Sequence, residues 1–294
     1  MDNHSHSKRH ETCISQQGFT LIELLMALFV GLIAIASVYT VYATVQREYR
    51  SQQLKVSMHQ NLRAALAILD QQIRMAGFDP EGSGRFGITN VRRYSLVDTL
   101  PDPNGQPALF FTMDLDEDGF PDSRNNYRKR EFVNFRIRED TNIGRRYLSW
   151  DNGAGRKQLA ETIHHIGFAY GIDADGDGRR DAWNDGPFLI WAVDTDNDNL
   201  LDTHLDVNND GIIDARDDMD GDERITAADG GGFINPVGLE HVRSVRVWLL
   251  AVSAHPVKGH MDQGIYVVGD RILRGNGDGY VRRLMETVIA CRNL

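Results

Sequence analysis

The chain has 294 residues and carries 32 lysines and arginines against 42 acidic residues, a formal net charge of −10 at pH 7. The acidity is concentrated: Asp173 to Asp229 holds 18 acidic and 4 basic residues, a net of −14 that leaves the rest of the chain at +4. That excludes nucleic acid as the partner of this face and points to cations. Only Cys13 and Cys291 occur, and Cys13 lies in a short polar leader, so a disulfide framework is excluded and Cys291 reads as a small buried residue of a terminal strand.

Residues 1–18 are polar, with His4, His6 and His10 beside balanced charges, and read as a disposable leader rather than a metal tract. Gly18-Phe19-Thr20-Leu21-Ile22-Glu23 follows, then an uncharged apolar run from Leu24 to Val45. As a helix, that run is about 33 Å long, enough to cross a bilayer's hydrocarbon core. Glu23 is the oddity, because a carboxylate at membrane depth costs about 2.5–3.5 kcal/mol and marks a function with a partner. Cleavage between Gly18 and Phe19 creates that partner, an α-amine at the same depth. An ordinary secretory signal cut near Val41-Tyr42-Ala43 and a plain anchor are the competing readings, and neither accounts for the charge at Glu23.

Beyond Val45 the helix is expected to continue into water. Met58, Leu62, Leu66, Leu69, Ile73 and Ala76 recur at spacings of three and four, one stripe facing a core, while Arg63, Asp70, Gln71 and Arg74 fall off it. Gly77 followed by Pro80 is a stop signal. Short strands are then expected at 108–113, 131–138, 145–150, 163–172, 188–193, 242–251, 265–273 and 283–291. Gly275 to Gly279 reads as a hairpin turn and 101–105 as a loop. His164 and His165, neighbours on a strand, are expected to face opposite ways. The fold class is α+β: a long N-terminal helix packed on an antiparallel sheet. The organisation reads as a leader at 1–18, a membrane or filament-core half-helix at 19–45, an amphipathic half at 46–77, and a β-rich domain at 78–294 that contains an acidic insertion at 173–235.

Within that insertion Asp194-x-Asp196-x-Asp198 recurs as Asp206-x-Asn208-x-Asp210 and Asp218-x-Asp220-x-Asp222, an internal repeat of twelve residues. Oxygens at places one, three, five and nine, with a backbone carbonyl at seven, suit a hard cation with six to eight ligands, so several calcium ions are expected. The fullest loop offers Asp206, Asn208, Asp210, the Ile212 carbonyl, Asp214 and Asp217. The next offers Asp218, Asp220, Asp222, the Arg224 carbonyl and Asp229, and the weakest Asp194, Asp196, Asp198 and Asp202. Two loops stand alone: Asp173, Asp175, Asp177 and Asp181, and Asp114, Asp116, Asp118 and Asp122. The eighth-place aliphatics Leu201, Ile213 and Ile225 point away from the ions. The competing reading is a solvated face of acidic Asx-turns, but carboxylates this dense and in register repel without a counter-ion. The loops are similar to thrombospondin type 3 or dockerin loops and lack the twelfth-place glutamate of an EF-hand.

The Gly18 to Glu23 stretch and its apolar helix resemble the class III signal of type IV prepilins and type II secretion pseudopilins. The resemblance implies cleavage after Gly18 by a prepilin peptidase, N-methylation of Phe19, and pairing of Glu23 with a subunit's N-terminal amine during assembly. Ile73-Arg74-Met75-Ala76-Gly77-Phe78 and the ending from Arg282 to Asn293 resemble PilW-type minor pilins. Implied are storage in the inner membrane of a Gram-negative bacterium, a periplasmic C-terminal domain, incorporation into a pilus beside other minor and major pilins, and a possible tip adhesin as partner. Alternatives are a J-type secretion pseudopilin and a calcium-dependent adhesin module. No catalytic motif occurs, so an enzyme is not expected.

Overall fold

The computed structural model describes residues 18–97, 100–121, 131–153, 155–183 and 186–294. Residues 1–17 of the leader and Asp122 lie outside the described residues. The chain divides into two compact units, residues 1–52 and 53–294. One helix, α1 (Leu21–Ile73), runs through the boundary.

In the first unit the apolar part of α1 has a mean hydropathy of 2.6 over its best window, none of it buried. Phe19, Leu21, Phe29 and Val38 are all exposed.

In the second unit the expected stripe is the buried face of the helix: Met58, Leu62, Leu66, Leu69 and Ile73 are all buried, joined by Ala65, and Ala76 is buried in the turn just beyond the helix end. On the solvent side Arg74 pairs with Asp70 at 2.8 Å. Two antiparallel sheets complete this unit. The first joins β1 (Ile88–Asn90), β2 (Arg93–Tyr94), β3 (Gln106–Thr112), β4 (Phe132–Asp140), β5 (Arg145–Asp151) and β6 (Arg156–Glu161). The second has β7 (Ile163–Ile172), β8 (Ala192–Val193), β9 (Leu201–His204), β10 (Gly232–Val237), β11 (Val242–Val252) and β14 (Arg282–Ala290) in the order β10-β9-β8-β7-β11-β14. β12 (Ile265–Val268) and β13 (Arg271–Arg274) pair separately.

The period of two decides which residues go where. Along β7 and β11, Ile166, Phe168, Tyr170, Val245, Val247 and Leu249 join the helix stripe, Leu109, Phe111 and Phe135 in the main core. The opposite face is also buried: Ala169, Trp248 and Leu250 pack with Trp191, Ile213, Ile225 and Ile272 in a second core. The second sheet is therefore covered on both sides, once by the helix and once by the acidic segment with the β12–β13 hairpin.

Four expectations change. The acidic segment is sewn into the sheet, contributing β8, β9 and β10 to its edge. Residues 265–273 are two strands turning at Gly269, whose φ is 65°. The loop 275–281 joins strands that do not pair, since β13 lies on β12 and β14 on β11. The two histidines also depart from simple alternation: Leu250 pairs with His165 and Ala251 with Ile163, leaving His164 as the extra residue of a bulge. Both rings consequently line the same recess.

Candidate functional site

At the N-terminal site, Thr20 and Glu23 form a reciprocal cap. Thr20 N–H and Oγ1 donate to Glu23 Oε2 at 2.9 and 2.8 Å, and the Glu23 N–H donates to Thr20 Oγ1 at 3.3 Å. The pattern Thr-x-x-Glu ahead of an apolar run is a capping box, legible in the sequence, and it gives Glu23 a local role besides any intersubunit one. Phe19 is exposed directly before this cap and Gly18 directly before Phe19.

The five acidic loops share one backbone course. In each, the first aspartate accepts the N–H of the sixth residue: Gly119 to Asp114 (3.0 Å), Gly178 to Asp173 (3.2 Å), Asn199 to Asp194 (2.8 Å), Gly211 to Asp206 (2.8 Å) and Glu223 to Asp218 (3.0 Å). Places four and six have positive φ in all five, including Glu117, Asn197, Asn209 and Glu223, where a side chain makes that conformation unfavourable. The fifth-place aspartates Asp118, Asp177, Asp198, Asp210 and Asp222 each accept the N–H two residues on. A further acid closes each loop: Asp181 accepts from Ala174, Asp202 from Thr195, Asp217 from Asn208 and Asp229 from Met219. In the loop at Asp114 that part is taken by Glu131, whose Oε1 accepts the Leu115 N–H at 3.2 Å. Glu131 comes from the start of the next strand, beyond any fixed loop spacing, and the sequence offers no signal for it.

Four carboxylate triads result, each with one oxygen per residue lying within 4.8 Å of the others: Asp114, Asp116, Asp118; Asp173, Asp175, Asp181; Asp194, Asp196, Asp202; and Asp218, Asp220, Asp229. Oxygen-only donor sets of this kind fit a hard cation. Asp173 adds a sharper sign, since its side chain is 1% exposed and its Oδ1 has no hydrogen-bond partner. The loop expected to be fullest behaves differently. Asp206 and Asp217 are buried, but Arg216 reaches Asp210 and Asp214, each at 2.8 Å. Asn208 at the third place leaves that loop without a close carboxylate triad among the described residues.

Burial raises the Asp194 carboxyl to about 6, against the pull of the Asn199 and Asn197 N–H groups and with the help of Asp202 and Asp196. Burial likewise raises Asp217, with Asp206 and Asp214 adding repulsion. A cation bound here would relieve both.

The profile of the prokaryotic N-terminal methylation motif matches residues 14–39. That of the type IV pilus-assembly protein W matches residues 135–293, more than half of the chain. The chain belongs to the type IV pilus-assembly protein W family. Among solved structures, a type IV-like pilin from Thermus thermophilus covers 80% of this chain and 97% of its own at 11% identity and a TM-score of 0.40, too distant a likeness to bear on function. No curated protein matches the sequence.

In this PilW-family chain the two stretches that resemble such pilins in sequence meet in space. Asn293 Nδ2 donates to the Arg74 carbonyl at 3.1 Å at the helix end. Gly77 follows with φ 74°, and a Cβ there would lie 2.8 Å from the Asn293 carbonyl oxygen and overlap Leu294 Cδ2. The glycine is thus needed both as a left-handed helix stop and for the close approach of the chain end. Cys291 is buried beside this clasp, which pushes its thiol up to about 12.

The loops of this pilus-assembly protein W chain also hold the domain together. Asn197 and Asn199 accept the Arg93 and Val91 N–H groups at 2.6 and 2.9 Å, tying the loop at Asp194 to the first sheet. Arg224, at the seventh place of another loop, and Arg93 converge on the buried Asp270, Arg93 at 2.5 Å. The tertiary roles of these asparagines and of Asp270 could not be read from the sequence, because the asparagines' partners lie 104 to 110 residues away and those of Asp270 at Arg224 and, farther still, at Arg93.

Proposed function

We propose that the chain is a minor pilin, held in the inner membrane of a Gram-negative cell with its C-terminal domain in the periplasm and then built into a type IV pilus with other minor and major pilins. Prepilin peptidase cuts after Gly18, Phe19 becomes the methylated N-terminus, and Glu23 pairs with the amine of a subunit. The observation that carries this reading is the methylation motif heading an apolar helix whose window is wholly unburied, a surface that needs lipid first and other apolar helices afterwards. Its mechanism is packing rather than turnover. The family assignment favours a pilus over a secretion pseudopilus.

We further propose that calcium occupies the acidic loops, with the Arg224 carbonyl and Asp222 completing the set at Asp218, Asp177 and Asp198 supporting theirs, and the Ile212 carbonyl with Asn208 serving the loop at Asp206. The contacts of Asn197, Asn199 and Arg224 support a stabilising role over an adhesin role, since they turn loop surface inward.

Replacing Glu23 with Gln tests assembly: incorporation into sheared pili should fall sharply while the membrane level of the protein is retained, and unchanged incorporation contradicts the proposal. For calcium, protease cleavage within residues 173–235 should be fast in EGTA and slow in millimolar calcium. Equal rates contradict it.

A further inference from the structure

The chain crosses from the first sheet to the second at Thr162, between β6 and β7. Its φ is 64°, a conformation that a β-branched residue adopts only under constraint. Its Oγ1 is buried without a hydrogen-bond partner. Thr162 lines the recess of about 650 Å³ that the bulge at His164 opens to both imidazoles, a volume in the range of small-molecule sites. Outliers and bulges gather where a fold holds a binding site in shape.

The recess has a definite chemistry. Arg145 and Arg146 line it at the start of β5. Arg146 gives its Nε to Glu139 at 3.2 Å, and its two terminal nitrogens are unclaimed among the described residues. Arg145 is exposed and has no side-chain partner among the described residues. Arg282, also in the wall, is already engaged by Asp262 and Asp278, so it contributes field rather than donors. The acids at the rim are Asp140, Glu161 and Asp278, of which Asp140 accepts the Asn142 N–H. Burial, and after it Arg146, lowers His164 to about 4 and His165 to about 3, so both rings are neutral at pH 7. His165 Nδ1 accepts from Gln106 Nε2 at 3.0 Å, which leaves its Nε2–H as a donor, while the neutral His164 offers one donor and one acceptor, a mixture that suits a sugar-like ligand better than a bare inorganic anion. A transition metal is disfavoured, because no third His, Cys, Asp or Glu among the described residues completes a close ligand set with these rings.

We propose that this recess binds a small carboxylate-bearing ligand of acidic-sugar size, its carboxylate on Arg145 and Arg146 and its hydroxyls on Thr162 and the two imidazoles. No residue of the assembly helix and none of the expected cation ligands lines the recess; its link to the acidic loops is Arg274, held by Glu223 at 2.9 Å, so the proposal does not rest on the pilin or calcium readings.

The test is a calorimetric titration of the full chain in detergent micelles with D-glucuronate, D-glucose and sulfate. Glucuronate should bind saturably at millimolar concentration, and at least about tenfold more tightly than glucose or sulfate. The Arg145→Gln/Arg146→Gln double variant should lose at least about tenfold in affinity. Arg145→Gln alone, at an exposed position that leaves the Glu139 pair intact, should lose a measurable part of it and keep the wild-type melting temperature. Absence of saturable glucuronate binding overturns the proposal, as does equal affinity for glucose or sulfate, or full affinity in the folded Arg145→Gln and double variants.

Discussion

Arg216 is where the structure most sharpens the reading of a single residue. Its guanidinium lies between Asp210 and Asp214, raised in basicity by the Asp214 hydrogen bonds and then by Asp210. It supplies positive charge within the loop that the spacing alone marks as fullest. Arg216→Gln should therefore free two carboxylates and either add one calcium to the measured stoichiometry or tighten the weakest site by about tenfold; an isotherm identical to wild type contradicts that. Gly77 gives a second test at this scale. Gly77→Ala combines a positive φ with contact against Asn293 and Leu294, and should lower stability by about 1–3 kcal/mol, seen as a lower melting temperature of the second unit. An unchanged melting temperature would contradict the clasp. At residue scale the sequence was only partly legible. The cost of a carboxylate at Glu23 could be argued from its apolar neighbours, and Thr20 as its capping partner lies three residues away. Glu131, Asn197, Asn199 and Asp270 could not be found, because their roles depend on chain segments brought together only by the sheets.

Elements with a strong period are the ones that sequence reasoning places well. The helix stripe from Met58 to Ile73 agrees with expectation because one face packs on a core and that burial fixes the period, whereas β7 and β11 are buried on both faces and are marked by their long β-branched and aromatic runs. The short strands β1, β2, β8 and β9 carry two to four residues and no period to read. The loops were legible in spacing and, for four of them, in the acid that closes them, since Asp181, Asp202, Asp217 and Asp229 are all marked by their places; at Asp114 the closing acid is Glu131, which no loop spacing reaches. The bulge in β7 makes an element-scale prediction about acid. His164 and His165 titrate lower in the folded chain than the usual 6.5, at about 4 and about 3. As pH falls through 6.5 the unfolded chain takes up protons first, so these rings should remove stability progressively from pH 6.5 down to about 3. The His164→Gln/His165→Gln variant should show a flatter fall in melting temperature than wild type across pH 6.5 to 4. Parallel curves would contradict the assignment.

For the whole molecule, the second sheet lies between two cores, and the acidic segment builds one of them with Trp191, Ile213 and Ile225. Carboxylates that crowd on the outer side of that layer repel, and the aliphatic eighth-place residues pull the same loops inward. A bound cation, as proposed, would resolve the conflict. With free calcium at ten times Kd, each occupied site adds roughly 1.4 kcal/mol, so millimolar calcium should raise the melting temperature of the second unit by several degrees, and a Glu131→Gln variant should lose part of that gain. No calcium-dependent shift would remove the ion from the account. In the other unit every large apolar side chain of the helix among the described residues is exposed, the surface that the proposed lipid and filament environments would cover.

The most direct measurement of the assembly claim is the mass of the mature N-terminal peptide from cells that carry the processing machinery. The account predicts a chain that begins at Phe19 with an N-methyl group. A mature chain that begins elsewhere, or one that retains residues 1–18 in assembled pili, contradicts it.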